Sequence, residues 1–142
     1  MSQYINAEIK ALLENMVNAN GGPGDESAIR EIIIEEIKPY ADQIRTDQLG
    51  NLIAYKKATA PEAVKLMVAT HMDEVAMIVV DKNDKGFLEV RPSGGISAAV
   101  LPAKPVVVGD DKIPGIFSAR TVHLTSASER SALLGIDKLR VV

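Results

Sequence analysis

The chain has no cysteine and no tryptophan, 4% aromatic residues, and two histidines among 142 residues. Without thiols, disulfides, thiolate metal sites and a cysteine nucleophile are excluded, which suits a reducing compartment. Scarce aromatics leave little to stack bases or sugar rings, and a net charge of −3 supplies no basic footprint for a phosphate backbone. No nucleic-acid partner is expected. No apolar stretch is long enough to span a bilayer, and the start, Met1-Ser2-Gln3-Tyr4-Ile5-Asn6-Ala7-Glu8, lacks a basic segment followed by an apolar one. These features predict a soluble, cytoplasmic body with no membrane partner. What is present is 46% hydrophobic residues, enough for a core, in a length that fits one average domain or two small ones.

Ile5, Ile9, Leu12, Leu13, Met16 and Val17 recur at helical spacing and predict a helix over about residues 3–18. Gly21-Gly22-Pro23-Gly24 stops it. Asp25 is the expected cap of a second helix with an apolar face of Ile29, Ile32, Ile33 and Ile37, running until Pro39 forces an exit. Extended runs at residues 40–46 and 51–55 flank Asp47-Gln48-Leu49-Gly50 in the manner of a hairpin, and residues 64–70 read as a further strand. The texture then changes to short strands at residues 75–81, 87–91, 104–108 and 113–117, separated by Gly- and Asp-rich turns. One or two helical turns at 126–134 and a strand at 136–142 complete the pattern. The predicted organisation is an α/β portion over residues 1–74 and a small all-β barrel or sandwich over residues 75–142.

The candidate chemistry sits at His71-Met72-Asp73-Glu74, directly after the apolar run that begins at Val64. An imidazole and a carboxylate two residues apart at a strand end share a face, which is how a metal-ligating His and its orienting acid are often built. An ordinary hydrogen-bonded histidine and an Asp that starts a turn are the alternative readings on spacing alone. Gly21-Gly22-Pro23-Gly24 follows a helix and lacks the Lys-Ser/Thr of a phosphate loop, so it reads as a structural turn. Ser93-Gly94-Gly95 is not a nucleophile elbow. His123 reads as structural, and the acidic pairs Asp25-Glu26, Glu35-Glu36 and Asp110-Asp111 read as helix-start charge, a solvated face and a hairpin tip.

The order Gly22-Pro23-Gly24 with Glu26, then Asp47-Gln48-Leu49-Gly50-Asn51-Leu52, then Thr70-His71-Met72-Asp73-Glu74-Val75, resembles the start of the M42-family metallo-aminopeptidases. This group includes glutamyl and deblocking aminopeptidases, often mislabelled as endoglucanases. Agreement continues through Gly86-Phe87-Leu88, Gly94-Gly95, Lys112-Ile113-Pro114-Gly115 and His123-Leu124. Ala76, where Gly is usual, and Thr70, where Ala is common, touch packing more than chemistry.

The resemblance implies a partial zinc-peptidase-like α/β domain followed by an inserted β-barrel through which such enzymes oligomerise. It also implies removal of N-terminal residues from peptide substrates at a dinuclear site of two divalent ions, zinc or cobalt. Two positions carry over: His71 as a metal ligand, and Asp73 as the catalytic-site carboxylate that orients that imidazole. The family's remaining ligands and its general base belong to a later stretch. A catalytic zinc usually takes three protein ligands, so the expectation for this chain alone is weak or no metal binding and no competent peptidase. A non-catalytic oligomerisation module derived from such an enzyme is the alternative. A carbohydrate hydrolase would need paired acids and aromatic platforms that this composition barely provides.

Overall fold

A computed structural model describes residues 5–118, 126 and 135–142. The chain divides into two compact units, Met1–Glu74 and Val75–Val142. The expected helical turns at 126–134 and the reading of His123 lie outside the described residues, apart from Ser126.

In the first unit, α1 spans Ala7–Val17 and α2 spans Ser27–Ile37. Asn6 caps α1 by accepting the Ile9 N–H at 2.9 Å, satisfying one of the donors that a helix start leaves free. The expected cap of α2 is corrected. Glu26, not Asp25, occupies the N-cap, and no side chain caps the helix there. The Glu26 carboxylate instead turns back to accept the Gly24 N–H at 2.6 Å. The α2 stripe buries Ile29, while Ile32, Ile33, Ile34 and Ile37 are half-buried.

The expected hairpin is present, with β1 at Gln43–Thr46 and β2 at Leu52–Tyr55 in antiparallel register, Ile44 opposite Ala54. Asp47 organises its turn. One carboxylate oxygen accepts the N–H groups of Leu49 and Asn51, each at 2.9 Å, and the other accepts the Asn51 side-chain amide at 2.9 Å. Gly50 then closes the turn at φ +84°, a left-handed conformation that a side chain resists.

The strand expected at residues 64–70 is not formed. The segment joins no described ladder and makes no described backbone hydrogen bond, and Val64, Leu66, Met67 and Val68 are 83–89% exposed. The physical reason is that a strand is defined by its neighbours: an apolar run on both faces suits a strand covered on both sides, and nothing described in this unit lies beside it.

Among the described residues, the second unit is all-β apart from two short 3₁₀ turns, Ala98–Val100 and Ile136–Lys138. Its strands are β3 Ala76–Lys82, β4 Leu88–Ser93, β5 Pro105–Val108, β6 Ile113–Ser118 and β7 Arg140–Val141, all antiparallel in the order β3-β4-β7-β6-β5. The β3-β4 register shifts between Val79 and Asp81, as at a β-bulge. The strand expected over 136–142 is a 3₁₀ turn followed by β7, short but central: Val141 lies opposite both Leu88 and Phe117. The core is Val90, Leu101, Phe117, Leu139 and Val141, with Met77, Leu88, Ile96, Val106, Val108 and Ile136 packed against it. The described strands make an open five-stranded sheet with β3 and β5 at its edges.

Candidate functional site

The segment after residue 70 is irregular backbone rather than a strand end, yet it brings His71 and Asp73 together. His71 Nδ1 lies 3.0 Å from Asp73 Oδ1 and 3.0 Å from the Asp73 carbonyl oxygen. A carbonyl oxygen and a carboxylate oxygen only accept, so the Nδ1 of a neutral ring must carry the proton. The lone pair is then on Nε2, which has no partner among the described residues. Such an imidazole is prepared as a ligand, with a carboxylate fixing both its tautomer and its ring plane. The His71 side chain is 84% exposed and that of Asp73 43% exposed, so the pair alone forms a weak surface interaction.

The segment is held from the side by the Gly-rich turn. The Glu74 N–H donates to the Gly21 carbonyl oxygen at 2.7 Å, and a Cβ added at buried Gly21 would lie 3.4 Å from the Met72 carbonyl oxygen. Gly22 and Asp25 form an isolated antiparallel bridge that closes the turn, so Gly22-Pro23-Gly24 is structural here. Behind it, the Arg30 guanidinium reaches Glu26 at 3.5 Å and donates from Nε to the Gly50 carbonyl oxygen at 2.8 Å. The sequence places Gly21 in a structural turn and Glu26 in a motif, but gives no sign of the Gly21 contact with Glu74 and no role for Arg30. The doubled glycine before Pro23 is the only local signal of a close approach.

The fit of this donor set to a metal ion is limited. His71 with Asp73 suits one ligand position, whereas no group of three or more His, Cys, Asp or Glu side chains converges among the described residues. The described residues therefore do not complete a metal site. Among them, too, no helix is long and apolar enough to cross a membrane.

Comparison with known proteins identifies the family. The family model for M42 glutamyl aminopeptidase matches residues 50–141. The chain belongs to that family. It is 35% identical over 96 residues to the lysyl aminopeptidase of Pyrococcus furiosus, a match covering 67% of this chain and 27% of that protein. Its fold is similar to the TET aminopeptidase of a marine-sediment Thaumarchaeota archaeon, with a TM-score of 0.85 and 27% identity over 93% of this chain and 37% of that one. The TET1 peptidase of Pyrococcus horikoshii, which assembles into a tetrahedron or a large octahedral shell, matches with a TM-score of 0.70 and 28% identity over 94% of this chain and 39% of its own. The chain thus spans well under half the length of the relatives it matches.

Proposed function

We propose that this chain contributes the His71 and Asp73 part of a metal-dependent aminopeptidase site, in an enzyme that removes N-terminal residues from peptides. One observation carries the reading: the Asp73 carboxylate engages His71 Nδ1 and leaves Nε2 open as a ligand for zinc or cobalt. Asp73 is the positioning acid in this role, holding the ring from behind. A site with two divalent ions needs donors beyond this pair, and no group of three or more His, Cys, Asp or Glu side chains converges among the described residues. The expectation is that the 142-residue polypeptide assayed alone shows no turnover.

The β unit is the proposed surface of homo-oligomerisation, closed as a barrel in the assembled enzyme. Ile78, Val79 and Val80 on the edge strand β3 are about half exposed, which supports a self-association role.

The test is a zinc titration followed by calorimetry and by the ring resonances of His71. Weak binding that shifts the His71 ring and disappears in His71→Ala is expected, together with no turnover of aminoacyl-anilides by the chain alone. Two tightly held ions per chain, or turnover abolished by His71→Ala, would overturn the incomplete-site reading. No zinc effect on His71 would overturn its role as a ligand.

A further inference from the structure

We propose that Glu26 and Arg30 are positioning residues, which brace the Gly-rich turn against the β1-β2 hairpin so that Gly21 holds the backbone of the His71-to-Glu74 segment. This rests on the reading of His71 as a metal ligand. The connection is continuous and lies within one unit. Gly50 O accepts from Arg30 Nε at 2.8 Å, Arg30 pairs with Glu26 at 3.5 Å, and Glu26 accepts the Gly24 N–H at 2.6 Å. The Gly22-to-Asp25 bridge carries this anchorage to Gly21, whose carbonyl takes the Glu74 N–H at 2.7 Å.

Burial and shape separate this pair from an ordinary surface ion pair. The Arg30 and Glu26 side chains are 17% and 19% exposed, whereas those of Lys38 and Glu35, on the exposed side of α2, are 68% and 73% exposed. A Cβ at Gly50 would sit 2.8 Å from Arg30 Nη2, so the turn is built to admit the guanidinium. The Glu26 carboxylate is directed to the Gly24 N–H and Arg30 and makes no capping bond to the start of α2. His71 makes its described hydrogen bonds with Asp73 and Thr70 alone, so backbone restraint at Glu74 limits where its ring can point.

The experiment is amide hydrogen exchange by NMR on the full chain, comparing Glu26→Ala, Glu26→Gln, Arg30→Lys and the control Glu35→Gln. The Glu74 amide should exchange about tenfold faster in Glu26→Ala, because losing a charge-assisted hydrogen bond opens the segment locally. Amides within α2 should stay protected. The carboxamide introduced by Glu26→Gln keeps an acceptor for the Gly24 N–H, so that variant should retain most of the Glu74 protection, and Glu35→Gln all of it. Should Glu26→Ala fail to fold, Arg30→Lys carries the test: an ammonium lacks the planar fork that spans Gly50 O and Glu26, and the same selective rise is expected. An unchanged Glu74 amide, or a rise shared equally by α2, would overturn the proposal. Failure of zinc to perturb His71 would leave these exchange rates untouched, so the two readings fail separately.

Discussion

His71 Nδ1 meets both the carboxylate and the carbonyl of Asp73 at 3.0 Å, so one residue holds the imidazole in a single tautomer through two acceptors. Asp73→Ala removes the carboxylate and keeps the backbone carbonyl, so the Nδ1-H tautomer should lose part of its preference, visible in the imidazole ¹⁵N shifts. In a complete homologous site the same change should lower metal affinity about tenfold to a hundredfold, the usual cost of losing an orienting acid. An unaltered tautomer in Asp73→Ala would mean that the carboxylate does not govern the ring.

That pair is legible in the sequence because its partners are two residues apart. The same locality makes α1, α2 and the β1-β2 hairpin legible, through Ile spacing, Pro39 and the Asp47-to-Gly50 turn. Residues 64–70 mislead for the opposite reason: their β-prone composition specifies a strand only where neighbours exist to pair with it. The shift from Asp25 to Glu26 at the α2 start is hidden because Asp25 is taken into the bridge with Gly22, a pairing that residue preference at a helix start does not reveal. The bond from Glu74 to Gly21 joins residues far apart in the chain, and no local pattern announces it.

The core of the β unit should be sensitive at Leu139, which is 0% exposed and sits between the 3₁₀ turn and β7. Leu139→Ala should cost about 2–5 kcal/mol in urea unfolding, from lost burial and the cavity left behind. Gly94→Ala should also destabilise this unit, since Gly94 has φ +96° and an added Cβ would lie 2.8 Å from Val75 Cγ1. A Leu139→Ala midpoint equal to the parent's would contradict the assigned core.

The hairpin turn should depend on pH. The Asn51 side-chain amide, with the Asn51 and Leu49 backbone N–H groups, holds the Asp47 carboxyl below the usual carboxylate range. A carboxylate with a depressed folded-state value stabilises the fold above its unfolded value, about pH 4, and that contribution fades as pH falls through the lower folded value. Amide shifts of Leu49 and Asn51, followed in acid, should report this transition, and Asp47→Asn should remove it. Identical acid titrations in the two proteins would sink the assignment.

The chain should also self-associate. Ile29 is the sole apolar side chain fully buried in the first unit among the described residues, while Val64, Leu66, Met67 and Val68 stay 83–89% exposed on backbone without a described ladder partner. Exposed apolar side chains on backbone without a ladder partner can pair with another strand, and in a solution of this chain the available strand belongs to a second copy. Light scattering should therefore show mass rising with concentration. Leu66→Lys with Val68→Lys should lower that rise, because charge on an edge opposes strand pairing. A monomer at every concentration, with the double variant behaving identically, would mean that this run is covered within its own chain in solution.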